Sequence, residues 1–230
     1  MTVGLVVARY REDVGWLRNV PTSLRLALYD KGEEPVTPGT VGPARHERLE
    51  NVGREAHTYL HHILTRWDDL DEHTVFVQGR PFDHCSDLHP TLRALVSAPA
   101  DVVPESGFRW LGFLIDTDDP RGRRLYVPWS KNPERKELAV DEFWALLFGT
   151  DLPAWFRFYG GGQFIVRRDL ILQRGRAFWE RALGIARDVP DAAHCFERTW
   201  DHVFGVRGVD PALLGDALCR VLKPVKRSGV

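Results

Sequence analysis

The stretch TVGLVVARY, residues 2–10, is the first of three short aliphatic runs that decide the fold of this chain. Its length and its β-branched residues predict a buried strand. The runs LRLALYD, residues 24–30, and HTVFVQG, residues 73–79, predict two more strands. Between them, residues 52–67 carry apolar side chains at helical spacing. This alternation predicts an α/β fold, a single three-layer sandwich with a mainly parallel sheet.

The remainder of the chain continues the α/β pattern. FRWLGFLIDTDD, residues 108–119, predicts a fourth strand, and residues 157–174 predict a strand interrupted by glycines. Helical spacing recurs in residues 11–20, whereas residues 33–48 are rich in proline, glycine and charge and predict a loop. We expect one domain over residues 1–220 and a basic tail over residues 221–230.

The composition argues against several classes of protein. The 230 residues carry 31 Lys and Arg against 32 Asp and Glu, so the chain is not a uniformly basic nucleic-acid binder. No apolar run is long enough to span a membrane, and we expect no membrane partner. Three widely spaced cysteines fit a reducing cytoplasm and argue against a disulfide framework or a zinc site.

Polar residues follow each of the first three predicted strands. Ligands of parallel α/β sheets bind beyond the carboxyl ends of the strands. These ends read ARYRED, YDKG and QGRPFDH, which together predict a functional site. Gln78 offers a donor and an acceptor, and Arg80 offers a fork for phosphate or carboxylate. Asp83 and His84 are a candidate acid/base pair, with a simple capped turn as the alternative.

The stretch NVGREAHTYLHH, residues 51–62, lies where a loop becomes a helix. Two interpretations are open. In the first, Asn51 caps the helix, and Arg54 and Glu55 of the first turn line a pocket. In the second, the same residues are a capped, solvated helix start. His57 and His61 have the spacing of a metal pair, but no carboxylate or cysteine is placed to complete the ligand set.

Two further motifs carry charge. Asp116 and Asp118, in IDTDD, have the spacing to share a divalent cation that holds a diphosphate, or they belong to a surface turn. The stretch RGRRLYVPWSKNPERK, residues 121–136, has six basic residues, one Glu and interleaved aromatic residues. This mixture favours nucleic-acid contact, with a solvated basic loop as the alternative. The candidate contacts are Arg121, Arg123, Arg124, Lys131, Arg135 and Lys136.

Glycines open the last polar motif, FYGGGQFIVRRDLI, residues 158–171. They allow the backbone to approach a ligand closely, or they form a β-bulge. Gln163 follows them directly at the start of the strand. Glu197, in HCFERTW, is either a buried base or an acid on a helix surface, and the pattern does not separate the two.

Five blocks of the chain resemble a largely uncharacterised family that is best populated in fungi, and with which we group the arginine-containing cyclodipeptide synthases. The resemblance covers roughly residues 3–205, and its blocks are VVARYREDVGWL, LYDKG, NVGREAHTYLHHI, FVQGRPFDH and YGGGQFIVRRDLI. The chain is also distantly similar to GT-A-type glycosyltransferases. Where those enzymes carry Asp-X-Asp at the end of a strand, this chain has Gln78, Gly79 and Arg80.

The first resemblance implies a cytoplasmic enzyme with a GT-A-like fold that needs no cofactor and takes aminoacyl groups from arginyl-tRNA and a second aminoacyl-tRNA. Its small-molecule product would be an arginine-containing cyclodipeptide or a related amide. Asp83, His84 or Glu55 would move the proton, and Glu55, Asp83 or Glu197 would pair with the guanidinium group. The residues expected to bind substrate are Arg9, Asn51, Arg54, Gln78, Arg80, Tyr159, Gln163 and Glu197.

Two other functions compete with this one. The first is a sugar-nucleotide-dependent glycosyltransferase, in which Asp116 and Asp118 would hold Mg²⁺ or Mn²⁺. The second is a binding module without catalytic activity on a degenerate transferase scaffold.

Overall fold

The computed structural model describes residues 1–34, 45–123 and 137–222. The strands are β1 (Val3–Arg9), β2 (Arg25–Asp30), β3 (Arg45–Arg48), β4 (His73–Gln78), β5 (Phe108–Trp110), β6 (Leu114–Asp118), β7 (Phe156–Tyr159), β8 (Phe164–Arg167) and β9 (Cys219–Val221). The α-helices are α1 (Arg54–Thr65), α2 (Leu88–Ser97), α3 (Pro99–Val102), α4 (Val140–Phe148), α5 (Arg168–Leu172), α6 (Arg176–Asp188), α7 (Ala192–Val203) and α8 (Pro211–Leu214). Short 3-10 turns lie at Gly15–Asn19, Trp67–Asp69 and Pro81–Asp83.

The main sheet has the strand order β3-β2-β1-β4-β8-β5. Strands β1 to β4 run parallel, and β8 is antiparallel to both of its neighbours. From β1 the chain builds outward through β2 to β3 and then returns to place β4 on the other side of β1. The strand order therefore reverses between β1 and β4, and such a reversal opens a crevice at the carboxyl ends of the two strands.

Strand side chains alternate between two hydrophobic cores. In β1, Leu5 and Val7 face a core built with α2, whereas Val6 faces the core that contains Leu60 of α1. Helices α4, α6 and α7 complete the core that contains Val6 and Leu60. Burial of each such aliphatic side chain contributes about 1.5–3 kcal/mol. The sheet thus lies between two helical layers, which confirms the predicted three-layer α/β sandwich with a mainly parallel sheet.

Three segments differ from the sequence prediction. The predicted loop at 33–48 ends in strand β3. This strand lies at the edge of the sheet and has no apolar side chains, so no apolar run indicates it. The predicted helix at 11–20 is only the short 3-10 turn Gly15–Asn19. FRWLGFLIDTDD splits into β5 and β6, and β6 joins a separate antiparallel sheet of order β7-β6-β9.

The expected tail at 221–230 begins within β9, and its residues 223–230 lie outside the described part of the chain. In the three described ranges, no helix is long and apolar enough to cross a membrane.

Two histidines of α1 are buried against the sheet. Nδ1 of His62 lies 3.0 Å from the hydroxyl of Tyr29, and the side chain of His57 also faces inward. Burial lowers the pKa of His62 to about 3 and that of His57 to about 4, with smaller contributions from nearby cationic groups. Both histidines are therefore neutral in the folded protein at neutral pH.

The buried His62 predicts a loss of stability in weak acid. Its pKa in the folded protein lies below the unfolded value of about 6.5, so its contribution is complete above that pH and is lost as the pH falls. The loss between pH 7 and pH 5 is about 2 kcal/mol. Urea unfolding at both pH values measures this loss. In His62→Gln, the difference in free energy of unfolding between pH 7 and pH 5 should be smaller by about 2 kcal/mol. An equal pH difference in the two proteins would contradict the prediction.

Candidate functional site

A cavity of about 200 Å³ lies at the crevice between β1 and β4. It brings together the polar ends of β1, β2 and β4 with the first turn of α1. The lining residues are Ala8, Arg9, Tyr10, Glu12, Lys31, Asn51, Arg54, Glu55 and Gln78. This is the place where the topology of an open α/β sheet favours ligand binding.

The first turn of α1 is held by the sheet and is not capped by a side chain. The residue before the helix is Gly53, with φ 58°, and Arg54 follows with φ 48°. A Cβ on Gly53 would lie 2.2 Å from the carbonyl oxygen of Ala186, so only glycine fits there. Nζ of Lys31 donates to the carbonyl oxygens of Val52 and Arg54, at 2.5 Å each. Asn51 makes no cap, so the cap expected in both interpretations is wrong, whereas Arg54 and Glu55 do line the cavity.

Burial shifts the two ionisable groups at the floor of this cavity. Lys31 is only 7% exposed, and desolvation lowers its pKa to about 8 although Glu55 and Glu50 oppose the shift. The side chain of Glu55 is 13% exposed, and desolvation raises its pKa despite the charge of Arg54. Its nearest cation, Nε of Arg54, lies 3.8 Å away, beyond hydrogen-bond distance. Glu55 is therefore a carboxyl group suited to proton transfer.

Glu197 of α7 lies beside Glu55 across the glycine turn of residues 160–162. A Cβ on Gly162 would lie 3.8 Å from Oε1 of Glu55 and from Cβ and Cγ of Glu197, so both side chains flank this glycine. Oε1 of Glu197 accepts a 2.5 Å hydrogen bond from the Gly161 N–H. Burial alone would raise the pKa of Glu197, but contacts with His194, Arg198 and Gly161 lower it to about 2.

The hydroxyl of Tyr59 is a buried donor near the two carboxyl groups. Tyr59 lies one turn after Glu55 on α1, and its hydroxyl has no hydrogen-bond partner within the described ranges. Burial, with the charges of Glu55 and Glu197, raises its pKa well above the ordinary value, so it keeps its proton. A pair of carboxyl groups with pKa values pushed apart is the usual arrangement for acid/base chemistry.

Several predicted substrate-binding residues hold the backbone around the cavity. Arg9 is 7% exposed and pairs with Asp30 at 2.7 Å. Gln163 is fully buried, accepts from the Gln78 N–H and donates to the carbonyl of Pro81. The side-chain amide of Gln78 donates to the carbonyl of Gly161 at 2.9 Å. Gln163 is therefore a buried support of the backbone, whereas Arg9 and Gln78 also line the cavity.

The predicted acid/base pair after β4 lies outside the cavity. The side chain of Asp83 is 55% exposed and forms an ion pair at 3.3 Å with Arg80, which is more exposed still. The ring of His84 packs on Gly161, where a Cβ would approach its Cγ to 2.4 Å. The Pro81–Asp83 turn directs Asp83 to solvent, and the structure does not bring Asp83 and Glu55 together.

Other candidates lie farther from the cavity. Tyr159 stacks on Trp110 with ring centroids 6.4 Å apart. Arg121 and Arg123 are exposed and pair with Asp141 and Asp119, respectively. The remaining predicted RNA contacts lie outside the described residues; they are Arg124, Lys131, Arg135 and Lys136.

The second carboxylate of the Asp-X-Asp motif, that of Asp118, forms a buried ion pair. Asp118 is fully buried, and its Oδ2 accepts from Nε of Arg198 at 2.6 Å. Asp116 lies in the same strand, β6, outside the main sheet. Within the described ranges, no group of three or more His, Cys, Asp or Glu side chains is arranged to hold a metal ion.

Sequence reasoning missed Lys31 and Tyr59. Lys31 directly follows β2, and this position at a strand end is the one feature of the sequence that indicates a functional role for it. Its pKa is lowered by burial, and its hydrogen-bond partners lie more than 20 residues away, which no local pattern contains. Tyr59 is indistinguishable from a core residue by helical spacing alone.

The family model described as "Protein of unknown function (DUF3431)" matches residues 5–220, and the chain belongs to that family. A search of curated proteins finds no match. Among solved structures, the chain is similar to CMP:2-keto-3-deoxy-manno-octonic acid synthetase complexed with CTP, at 12% identity and a TM-score of 0.40. That match covers 91% of this chain and 89% of the other. It is too distant to assign a ligand or a reaction.

The left-handed junction before α1 predicts a contrast between two glycines. Gly53→Ala should lower the free energy of unfolding by about 2 kcal/mol or more, because a side chain there meets a carbonyl oxygen at a positive φ. A Cβ on Gly184 in α6 would meet no neighbouring atom within 4 Å. Gly184→Ala should therefore raise the free energy of unfolding by about 0.8 kcal/mol. Denaturant unfolding of both variants tests the contrast, and similar changes in the two would refute it.

Proposed function

We propose that this member of the DUF3431 family is a transferase that forms peptide bonds from aminoacyl-tRNA, with an arginine-containing cyclodipeptide or a related amide as its product. The observation that carries the proposal is Glu55 in the lining of the cavity at the strand-order reversal, with Glu197 beside it across Gly162. One carboxyl group has a raised pKa, and the other is held ionised. The pair supplies a base for an amine and a negative charge for a cationic side chain.

The size of the cavity supports an aminoacyl group as its occupant. Its volume of about 200 Å³ is below the range of about 300–1,000 Å³ typical of pockets for drug-sized ligands. A single amino-acid side chain is a better match for this space than a complete sugar nucleotide. Ionised carboxylates bind a guanidinium group through charge-assisted hydrogen bonds. In this proposal, the arginyl group occupies the cavity beside Glu55, and Glu197, which lies across Gly162 and outside the lining, provides the permanent negative charge.

Glu55 is the proposed base. Its raised pKa makes its carboxylate a stronger base than an ordinary glutamate. It accepts a proton from the α-ammonium group of one aminoacyl ester. The neutral amine attacks the carbonyl carbon of the other ester, a C–N bond forms, and the C–O bond to the tRNA breaks. The remaining amine proton passes to the departing ribose oxygen, and a second such step within the dipeptidyl ester closes the ring.

The partner in this proposal is charged tRNA, and the proposed location is therefore the cytoplasm. Arg121 and Arg123 keep about 60% and 63% of their side chains exposed despite their acidic partners. Such cations are available to phosphates, and binding would weaken as salt concentration rises. No cofactor is required, because the ester of the aminoacyl-tRNA is already activated.

The glycosyltransferase remains the second candidate because of the distant sequence resemblance to GT-A-type enzymes. Its proposed metal site is weakened by the buried pair of Asp118 with Arg198. That candidate predicts thermal stabilisation by a nucleoside diphosphate with Mn²⁺. The third candidate, a binding module, predicts ligand binding without turnover of any activated donor.

The test is product formation in a bacterial host and with purified protein. Wild-type protein should yield a new cyclo-Arg-Xaa mass, and purified protein should form it from arginyl-tRNA and a second aminoacyl-tRNA. Glu55→Gln should reduce the yield at least about 100-fold, because it removes the base. Asp83→Asn is the matched control, and it should retain the product because Asp83 lies outside the cavity.

Treatment of the tRNA with ribonuclease before the assay should abolish the product. A product that survives this treatment would contradict the tRNA donor. Equal yields from Glu55→Gln and wild type would remove Glu55 as the base. No product from either assay, together with stabilisation by a nucleoside diphosphate and Mn²⁺, would replace the proposal with the glycosyltransferase.

A further inference from the structure

A second, larger cavity lies at the carboxyl end of α7, away from the strand ends that form the candidate site. Its volume is about 740 Å³, within the usual range for ligand pockets of about 300–1,000 Å³. It is bounded by the end of α4, the start of β7 and the loop between α7 and α8. Neither Glu55 nor Glu197 lines it.

Three arginines from three separate segments converge on this cavity. Arg157 comes from β7, Arg174 from the link between α5 and α6, and Arg207 from the loop after α7. Arg174 donates to the carbonyl oxygens of Val203 and His202, which are among the last carbonyl groups of α7. Arg157 and Arg207 are exposed and form no ion pair with any residue in the described ranges. Cations gathered in this way repel each other unless an anion binds between them.

The described lining includes one carboxylate, that of Asp201. Its two oxygens accept from the backbone N–H groups of His202 and Gly208. Burial raises the pKa of Asp201 to about 7, because the hydrogen bonds only partly offset desolvation. Asp201 is therefore only partly ionised near neutral pH, and both of its oxygens already accept backbone N–H groups.

The same cavity has an aromatic wall. Trp144 and Phe148 of α4 lie with their ring centroids 4.2 Å apart, and Trp155 is 47% exposed at the rim. Phe156 and Phe158 of β7 are buried in the core, whereas Arg157 and Trp155, the residue directly before β7, are exposed and line the cavity. An aromatic side chain and a cation are thus side by side, which is the arrangement that binds the base and the phosphate of a nucleotide.

We propose that this second cavity binds a nucleotide, with its base against the aromatic wall of Trp144, Phe148 and Trp155 and its phosphate between Arg157 and Arg207. The nucleotide is either a free molecule or the end of an RNA chain, and both present the same chemistry. The inference does not depend on the reaction proposed for Glu55 and Glu197.

Calorimetric titration of the full-length protein tests the proposal. The ligands are AMP, ribose 5-phosphate, adenosine and inorganic phosphate. AMP should bind at least about tenfold more tightly than any of the other three, since it alone offers both a base and a phosphate. The double variant Arg157→Gln, Arg207→Gln should weaken AMP binding at least about tenfold. Trp155→Leu should reduce the preference for AMP over ribose 5-phosphate.

Two control variants separate this cavity from the rest of the molecule. Arg93→Gln removes the same charge from an exposed position on α2, in the opposite helical layer, and should leave AMP binding unchanged. Glu55→Gln should also leave it unchanged, whatever its effect on catalysis. AMP binding that is unaffected by the double variant, or that is lost in Glu55→Gln, would overturn the assignment. If inorganic phosphate binds as tightly as AMP, the assignment of a nucleotide as the ligand is wrong.

A short RNA that ends in the same nucleotide distinguishes the two sources. If the RNA binds at least about tenfold more tightly than AMP, and the double variant weakens both, the cavity holds an RNA end. If the RNA binds no more tightly than AMP, the ligand is a free nucleotide. Absence of binding by both AMP and the RNA would refute the proposal.

Discussion

The candidate site depends on two hydrogen bonds from one buried lysine. Nζ of Lys31 crosses from the end of β2 to the carbonyl oxygens of Val52 and Arg54, and so fixes the loop that leads into α1. That loop contains consecutive positive φ values at Gly53 and Arg54, a conformation that costs free energy at the arginine. The result is a fixed position for Glu55, which begins the inward-facing part of the helix. A desolvated cation thus stabilises a strained backbone and at the same time lies beside the carboxyl group that we propose as the base.

The charges around Gly162 show how position sets the chemistry of identical side chains. Glu55 and Glu197 flank the same glycine, yet their pKa values move in opposite directions. Glu55 has Arg54 at 3.8 Å, with smaller contributions from a backbone hydrogen bond and His194, and together these do not offset desolvation. Glu197 has a backbone N–H at 2.5 Å, with His194 and Arg198 close by. The glycine turn matters for both, since it supplies that N–H and leaves room for the two side chains.

Much of the fold could be predicted from the spacing of apolar residues along the chain, because strand alternation and helical spacing indicate which side chains are buried. Strand β3 was not predicted because its three charged side chains and one histidine lie on an edge, where pairing depends on the backbone alone. The region of the site was predictable from the polar ends of three parallel strands. The roles within it were not: Asp83 is near β4 in sequence, but the turn after Pro81 directs it to solvent. Gln163 looked like a ligand contact and is a buried support, because its partners lie more than 80 residues away.

The most direct test of the site is the titration of the Glu55 and Glu197 carboxyl groups by carbon NMR. Protein labelled at the glutamate side-chain carboxyl carbon gives the signals, and the variants Glu55→Gln and Glu197→Gln assign them. The pKa of Glu55 should lie above the ordinary glutamate value of about 4.3, and that of Glu197 should be about 2. A Glu55 carboxyl group that titrates at or below the ordinary value would contradict its role as a base, and with it the proposed division of labour between the two glutamates.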